Sequence, residues 1–239
     1  MTSETVAFIV SNGAESLGIA LPPGAISAFE SYYGYLEERR QRANLTAITG
    51  ASDIARLHFL DSLALLKSAH FKGKRVIDIG SGAGFPGVPL KIAEPTVDMT
   101  LLDATGKRVT FLSDLCAMLG ISAACLHTRA EAAAHEPGMR ESFDIVVSRA
   151  VSRLNTLCEL CLPFARTGGL LIAMKGVDSD SEVSEAEIAF ATLGAELQGL
   201  FDYTIPGSDI MHRAVLVRKI AKTPEKYPRR FARIQKAPL

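Results

Sequence analysis

From about residue 73 onward, short apolar runs alternate with stretches of helical periodicity. The apolar runs predict strands at Arg75–Gly80, Asp98–Asp103, Ser122–His127, Phe143–Ser148 and Gly169–Lys175. The stretches between them predict helices at Val88–Ala93, Gly106–Leu119, Arg153–Ala165 and Ser181–Leu193. Two further strands are expected near Glu196–Thr204 and His212–Lys219. This alternation predicts an α/β fold, a doubly wound, mostly parallel sheet of seven strands with helices on both faces.

The chain before residue 73 has a helical pattern throughout. Pro22-Pro23-Gly24 opens a helix expected over Ala25–Arg42, which ends in the basic cluster Arg39, Arg40 and Arg42. A second helix, capped by Ser52 or Asp53, carries the apolar stripe Ile54, Leu57, Leu60, Leu63 and Leu66. We therefore expect a helical extension over 1–72, a Rossmann-like domain over 73–219 and a separate segment over 220–239.

The segment from Arg218 to Leu239 differs in composition from the rest of the chain. It carries eight basic residues against one acid, Glu225, and its three prolines predict an extended tail without a helix. A solvated tail is one interpretation. Because Tyr227 and Phe231 add stacking surface to the charge, the composition favours an arm that contacts phosphates.

Composition limits the remaining possibilities. The 239 residues are 48% apolar and 22% charged with a formal net charge of +0, so a full core is expected and no global basic field marks a nucleic-acid binder. Neither a leader pattern nor a membrane-spanning apolar run is present. With only four cysteines, the chain is expected to be cytoplasmic with reduced thiols.

Cys158-Glu159-Leu160-Cys161 has the spacing of half a zinc site. No second pair with ligand spacing follows it, and the surrounding sequence has the pattern of an apolar helix. We therefore expect two buried thiols there and no metal site.

The strongest candidate for chemistry is the loop after the first strand, where Asp78 is followed by Gly80, Gly82, Gly84 and Gly87. An apolar strand that runs into an acid and then into a glycine loop is typical of a nucleotide-like cofactor site. Glycines allow the backbone to approach a ligand where a Cβ atom would collide. The loop therefore predicts an adenosine-containing ligand.

Two cofactor classes fit this loop. A dinucleotide would place its pyrophosphate on the amides of the following helix, but Pro86 and Pro89 remove donors from that first turn. S-adenosylmethionine carries no phosphate, and the acid before the first glycine, Asp78, belongs to its binding pattern; this carboxylate would organise the loop or meet the methionine ammonium. Asp103, at the end of the second strand, could hold the ribose of either cofactor. The residues favour S-adenosylmethionine over a nicotinamide dinucleotide.

An ordered set of motifs resembles one family from about residue 25 to the end. The motifs are Asn44–Ile48, His58–Ser62, Asp78–Gly87, Leu101–Asp103, Gly106–Arg108, Arg129–Glu131, Val147–Ala150, Lys175–Gly176 and Thr223–Arg230. Together they resemble the bacterial small-subunit ribosomal RNA guanine-N7 methyltransferases, long called glucose-inhibited division protein B. Phe231-Ala232-Arg233-Ile234 departs from the Pro-Gly tail segment of that family.

The resemblance implies a class I methyltransferase that uses S-adenosyl-L-methionine to methylate N7 of one guanine in 16S ribosomal RNA. It implies that the glycine loop, with Gly80, Gly82 and Phe85, contacts the methyl donor. Asp103 would hold the ribose, and Ala130 and Glu131 would flank the adenine. Arg149 would complete the pocket beside the methyl group.

The expected partner is 16S ribosomal RNA or a small-subunit particle, bound by a monomer without a membrane. The candidates for RNA contact are Arg129, Lys175, Arg213, Lys226, Arg229 and Arg230. His58 and Asp61, at helical i, i+3 spacing, either link the extension to the catalytic domain or line the path of the RNA.

Guanine N7 carries a lone pair and no proton, so no general acid or base is expected, and Arg149 would act by positioning. It would brace the donor or contact the guanine without clamping N7. Two alternatives stay open at this stage, a small-molecule methyltransferase and a non-catalytic RNA-binding assembly factor.

Overall fold

A computed structural model of the chain describes residues 5–43 and 45–239. Within them, seven strands form one sheet in the order β3-β2-β1-β4-β5-β7-β6. The strands are β1 Arg75–Ile79, β2 Asp98–Asp103, β3 Ala123–His127, β4 Phe143–Arg149, β5 Ala165–Gly176, β6 Ala195–Thr204 and β7 Met211–Lys219. β1 to β5 are parallel, whereas β7 is antiparallel to both β5 and β6. The predicted seven-stranded, mostly parallel α/β sheet is confirmed.

Helices cover both faces of this sheet. Those before the sheet are α1 Val6–Ser16, α2 Ala25–Ala43, α3 Ala51–Ile54 and α4 Asp61–Ala64. Those that follow are α5 Gly87–Ala93, α6 Gly106–Leu119, α7 Ala130–Ala133, α8 Leu154–Cys161, α9 Asp180–Glu185, α10 Glu187–Thr192 and α11 Phe231–Lys236. The helices predicted over 25–42, 88–93 and 106–119 agree with α2, α5 and α6 within one residue at either end. The motif residue Asn44 and the side chain of Arg42 lie outside the description.

Two helix predictions were too long. The helix expected over 153–165 ends at Cys161, because Pro163 has no N–H with which to continue the ladder, and Ala165 already belongs to β5. The helix expected over 181–193 is two short helices that meet at Ala186. The Ala186 amide there donates to both Glu182 O and Val183 O, a tightened turn that ends α9.

The segment 51–67 is helical but irregular, with a π-helical stretch at Ala55–Leu60 and a 3₁₀ turn at Leu65–Lys67. Gly50, with a φ of 86°, precedes its first turn, so the predicted cap at Ser52 or Asp53 is wrong. The Ser52 hydroxyl instead accepts a hydrogen bond from the Arg56 guanidinium. π-Helical stretches are frequent at functional sites, and this one carries His58 and leads directly into Asp61.

The sheet separates two hydrophobic clusters. On one face, Phe29 and Phe59 of the N-terminal segment pack in one cluster with Val76 and Leu101 of the sheet. The described part of the extension is therefore a layer of the same core. The opposite face buries the helices α8, α10 and α11. The boundaries expected near residues 72 and 219 stay predictions.

The C-terminal segment is docked on this second face. Residues 231–236 form α11 and Ile234 is fully buried, so the prediction of a tail without a helix is wrong. No proline lies between Pro228 and Pro238, which leaves room for a helix. The Arg140 guanidinium donates to the carbonyl oxygens of Thr223 at 2.8 Å and Tyr227 at 2.9 Å, which holds the chain leading into α11.

Cys158 and Cys161 are buried in α8, and burial raises the pKa of both thiols. The prediction of buried, unpaired thiols at these positions is confirmed. Among the described residues, no group of three or more His, Cys, Asp or Glu side chains is arranged to hold a metal ion. In the same part of the chain, no helix combines the length and apolarity needed to cross a membrane.

Candidate active site

The glycine loop, Asp103 and Arg149 meet at one edge of the sheet. β1 lies between β2 and β4, so the chain crosses over in opposite directions on its two sides. The loop follows β1, whereas Asp103 ends β2 and Arg149 ends β4. Open parallel sheets bind ligands in the crevice at such a switch point.

Asp78, in β1, holds the glycine loop through a hydrogen bond to the end of that loop. Its side chain is fully buried, and Oδ2 accepts a hydrogen bond from the Gly87 amide at 2.9 Å, which joins the start of α5 to β1. Burial raises the pKa of Asp78 to about 7. Oδ1 has no hydrogen-bond partner among the described residues, which leaves one acceptor for an N–H group. Of the two predicted roles, organising the loop is the one observed directly.

Two of the loop glycines are required by packing. A Cβ atom on Gly84 would lie 2.7 Å from the Tyr32 hydroxyl, and one on Gly87 would lie 2.5 Å from Leu101. The Tyr32 hydroxyl also donates to the Ala83 carbonyl at 2.5 Å. These glycines therefore let α2 and β2 approach the loop closely, and they do not face a ligand.

The other two glycines differ in what surrounds them. A Cβ atom on Gly82 would meet only the Gly80 carbonyl oxygen, at 3.9 Å, so free volume adjoins the loop here. Gly80 has a φ of 74°, and a Cβ atom on it would meet Val151 at 2.6 Å, because the segment after β4 crosses over it. Gly82 therefore leaves room for the donor contact predicted there, whereas Gly80 packs under Val151, and the donor contacts of the loop stay predictions.

Asp103 is placed beside this free volume. Its Oδ2 accepts from the Gly82 amide at 3.0 Å and its Oδ1 from the Thr105 amide at 2.8 Å. Arg108 lies 3.7 Å from Oδ2. Each carboxylate oxygen still has a lone pair to offer, so the group can accept from a pair of ribose hydroxyls.

Ala130 and Glu131 open α7, just after β3. β3 is paired with β2, and His127 lies opposite Asp103 in the register, so both residues lie at the same edge as Asp103. Ala130 is buried and Glu131 is half-buried. This arrangement is compatible with their predicted place beside an adenine.

Arg149 is held tightly in place. Its Nη1 donates to Leu57 O at 3.0 Å and to Asp61 Oδ2 at 3.1 Å, and its Nη2 donates to His58 Nδ1 at 2.9 Å. Its guanidinium carbon lies 5.0 Å from the centroid of the Phe85 ring. Three of the five N–H donors of an arginine are thereby used, and the remaining donors can face a ligand.

His58 is a neutral acceptor in this arrangement. Because a guanidinium can only donate, His58 Nδ1 accepts from Arg149, and Nε2–H donates to Thr46 Oγ1 at 2.8 Å. Burial, aided by the Arg149 charge, lowers the pKa of His58 to about 3. The imidazole therefore stays uncharged and ties the segment around Thr46 to the end of β4.

Asp61 is the buried anion of the cluster. Its Oδ1 accepts from the Tyr203 hydroxyl at 2.8 Å and from His212 Nδ1 at 2.8 Å, while Oδ2 pairs with Arg149. The carboxylate thus joins α4 to β4, β6 and β7. Of the two predicted roles, a link between extension and sheet is the one these bonds show.

Phe85 is enclosed by aromatic rings. The His58 ring stacks on it at 4.3 Å and the Tyr32 ring at 5.3 Å, and the side chain is almost fully buried. Both neighbours belong to the N-terminal segment. The predicted contact of Phe85 with the methyl donor is therefore limited to what its backbone and ring edge can reach.

A cavity of about 550 Å³ lies beside Arg149, which forms part of its wall. Its walls come from the ends of β4 and β5, the start of β7 and the segment that carries His58. Its apolar lining is Ile48, Leu57, Met174 and Ile210, and its polar lining includes His58, Asp61, Arg149, Lys175 and His212. A mostly apolar cavity with a few convergent polar groups is typical of a site for a small organic ligand.

Three of the predicted RNA contacts are engaged in ion pairs within the chain. Lys175 pairs with Glu182 at 2.8 Å, and Arg213 is held by two acids. Arg229 pairs through Nη2 with the fully buried Glu159 at 2.5 Å. Arg129, Lys226 and Arg230 are exposed. The structure therefore leaves these last three as the more available candidates for contact with phosphates.

Sequence reasoning missed three residues that the structure brings to the site and one that anchors the C-terminal segment. Tyr32 supports the loop, whereas Tyr203 and His212 complete the Asp61 cluster, and Arg140 anchors the C-terminal segment. Their partners lie far away in the chain, and no short motif joins them. A lone tyrosine or histidine at a strand end carries no local signal of such a role.

The donor side fits S-adenosylmethionine on three observations. Asp103 keeps free acceptor capacity, the space above Gly82 is open, and Asp78 Oδ1 is buried without a hydrogen-bond partner among the described residues. Together with the sheet order and its antiparallel seventh strand, these features define the class I methyltransferase fold.

Comparisons with known proteins agree with this class. The sheet and its helices resemble a SAM-dependent methyltransferase from Aquifex aeolicus, with a TM-score of 0.52 over 77% of this chain and 98% of that chain at 16% identity. TYW2 from M. jannaschii, solved in complex with AdoMet, gives a TM-score of 0.50 over 67% of this chain and 78% of that chain at 11% identity. At these identities the likeness concerns the fold alone.

The sequence comparisons go further. The family described as GidB, rRNA small subunit methyltransferase G, matches residues 25–205. Ribosomal RNA small subunit methyltransferase G of Caldanaerobacter subterraneus subsp. tengcongensis is 44% identical over the whole of both chains. The protein of the same name from Alkaliphilus oremlandii is 42% identical over 97% of this chain and 98% of its own. The chain belongs to the GidB family of small-subunit ribosomal RNA methyltransferases, which confirms the predicted resemblance.

Proposed function

We propose that the protein transfers a methyl group from S-adenosylmethionine to N7 of one guanine in 16S ribosomal RNA. The observation that carries this proposal is that the Arg149 guanidinium packs on Phe85 of the glycine loop and also lines the cavity of about 550 Å³. One side has the features of a nucleoside-binding cradle and the other has room for a base. Family membership supports small-subunit ribosomal RNA as the source of that base.

On the donor side, Asp103 would accept from the ribose hydroxyls, and Gly80 and Gly82 would allow close approach of the backbone. Ala130 and Glu131 would flank the adenine, and Arg149 would face the end that carries the methyl group. When bound, S-adenosylmethionine supplies a methyl group activated by its sulfonium. The ring of Phe85 would contribute by packing against the Arg149 guanidinium and so holding it in place.

On the acceptor side, the residues need only orient a base and exclude water. Guanine N7 offers its lone pair without losing a proton, so no proton acceptor is required at N7. Arg149 is fixed by three hydrogen bonds and an aromatic face, so its remaining donors are preorganised. The apolar walls of the cavity would keep water from the reacting atoms.

The RNA would be held by exposed basic residues, with Arg129, Lys226 and Arg230 as the proposed phosphate contacts. Lys175, Arg213 and Arg229 would support the surface through their acidic partners. We further propose that the protein acts as a monomer in the cytoplasm, on 16S RNA or on a small-subunit particle. Its salt dependence would then reflect the number of phosphates contacted.

The direct test is mass-spectrometric mapping of 16S RNA from cells with and without the gene. The proposal expects one N7-methylguanine to disappear and to return with the wild-type gene. A gene encoding the Asp103→Ala variant should not restore it, whereas Asp98→Ala, a change at the exposed start of β2, should. An unchanged level of N7-methylguanine in the deleted strain would refute the substrate, and turnover of a small molecule without RNA would favour the alternative enzyme class.

A further inference from the structure

His212 lies in the wall of the cavity beside Arg149. It lies at the start of β7, and its Nδ1 is 2.8 Å from Asp61 Oδ1. Within the part of the chain that the structure describes, Nε2 makes no hydrogen bond. The side chain is one-third exposed, at 33%, and it belongs to the cavity wall. The histidine is thus anchored on one nitrogen and open on the other.

The neighbours of His212 fix both its orientation and its charge. Tyr203 shares Asp61 Oδ1 and meets the imidazole edge-on at 6.3 Å between ring centroids. The hydrogen bond with Asp61 raises the pKa of His212, which outweighs the opposing effects of burial and of the Arg149 charge. Lys175, on the neighbouring strand β5, is the further cation at the cavity wall, and Glu182 neutralises it. The surroundings therefore favour the imidazolium, which carries an N–H on Nε2, more than they would for a free histidine.

The other cationic side chains of the cavity are less suited to selecting a base. Lys175 Nζ is occupied by Glu182 at 2.8 Å and by Ser152 O at 2.7 Å. Arg149 could bind guanine in a bidentate manner through O6 and N7. Such a pair of hydrogen bonds would cover N7, which is the atom that must be methylated. A histidine with a single free N–H can bind O6 and leave N7 uncovered.

On the basis of the proposed function, we propose that His212 Nε2–H donates a hydrogen bond to O6 of the target guanine and so selects guanine for methylation at N7. O6 and N7 lie side by side on the same edge of the base, so this bond also orients N7. Adenine carries an amino group in place of O6. That group is itself a hydrogen-bond donor, so it would repel the Nε2–H of His212. His212 is thus a specificity-determining residue on the acceptor side.

The test uses single-turnover methyl transfer to ribosomal RNA in which the target nucleotide is either guanine or 2-aminopurine, which lacks O6 and keeps N7. His212→Leu should slow transfer to guanine by roughly 10- to 100-fold, the range of one base-specific contact. The 2-aminopurine substitution should slow the wild type by a similar factor and should not slow His212→Leu further. Losses that multiply in the combined experiment would overturn the proposal, because the two groups would then act independently.

The pH profile gives a second readout. The wild-type rate should be highest while His212 is protonated and should fall as the pH rises through its raised pKa, above the ordinary value of 6.5. His212→Gln, whose amide donates without titrating, should recover much of the rate lost in His212→Leu and should lack this fall. A His212→Gln profile identical to that of the wild type would contradict the proposal.

Controls separate this proposal from the function on which it rests. The exposed His70 serves as the matched substitution, His70→Leu, and should behave as the wild type. Calorimetry should give the same affinity for S-adenosylmethionine in His212→Leu, and thermal unfolding should show that the variant is folded. If the wild type transferred no methyl group to guanine, the proposed function would fail; if only the His212 effects were absent, the selection role alone would fail.

Discussion

The two sides of Arg149 are built in different ways. The donor side is built mostly from residues close together in the chain, with the loop Gly80–Gly87 after β1 and Asp103 at the end of β2. The acceptor side gathers His58, Asp61, Tyr203 and His212 from the N-terminal segment and the last two strands. The donor side can thus be recognised from local sequence, whereas the acceptor side exists only after the N-terminal helices pack on the sheet.

The largest expected effect comes from breaking the buried centre of the acceptor side. Asp61→Ala would leave Arg149 without its anion and remove the acceptor shared by Tyr203 and His212, at a cost of about 3 to 5 kcal/mol in the free energy of unfolding. Thermal or chemical unfolding measures this loss. Asp209→Ala, at an exposed position near the same hairpin, is the control. A loss below about 1 kcal/mol would show that the cluster is not a structural centre.

The next largest effect is expected on the donor side, in the affinity for S-adenosylmethionine. Asp103→Ala should weaken binding of S-adenosylmethionine by roughly 100-fold, because two charge-assisted hydrogen bonds to hydroxyl groups would be lost. Isothermal titration calorimetry measures the affinity, and Asp98→Ala is the matched control. RNA binding by Asp103→Ala should be unchanged. Equal loss of donor and RNA affinity would contradict the separation of the two sides.

A smaller effect on donor affinity tests the contact of Tyr32 in α2 with the glycine loop. Tyr32→Phe removes the hydroxyl that donates to Ala83 O and keeps the ring that stacks on Phe85. We expect donor affinity to fall by roughly 5- to 10-fold, the worth of one buried hydrogen bond, with little change in the transfer rate at saturating donor. Tyr33→Phe, one position along α2, is the control. A change in the transfer rate alone would place Tyr32 on the acceptor side.

The smallest effect concerns the exposed basic residues. Arg230→Ala and Lys226→Ala should each raise the KM for ribosomal RNA by roughly 2- to 5-fold and reduce its salt dependence by about one phosphate contact. Neither should change donor affinity. Lys72→Ala, an exposed basic side chain just before β1, is the comparison. Unaltered salt dependence in both variants would remove the C-terminal segment from the RNA surface.

The sequence predicted the sheet well because its signals are local, and the residues proposed for the donor side carry local signals too. Apolar runs bounded by glycine defined the strands, and Asp78, Gly82 and Asp103 stand next to those strand ends. Gly84 and Gly87 belong to the same motif, yet they serve packing against Tyr32 and Leu101, which a motif alone cannot distinguish.

The acceptor side and the C-terminal segment were beyond local reasoning. The proposed role of His212 depends on its hydrogen bond with Asp61, which lies 151 residues away in the chain. The C-terminal segment had the composition of a free arm, but the Arg140 contacts and the burial of Ile234 turn it into a docked element with a helix. Arg229 was predicted as a phosphate contact from its charge, and its partner Glu159 lies buried in α8.

One reconstituted reaction tests the central claim most directly. Small ribosomal subunits from cells lacking the gene are incubated with radiolabelled S-adenosylmethionine and the purified protein, and the label is located by nuclease mapping and mass spectrometry. We predict about one methyl group per subunit, at N7 of a single guanine in 16S RNA, and none with Asp103→Ala. Label on another atom or on ribosomal protein, or no label at all, would contradict the assignment of the two sides of Arg149 to donor and guanine.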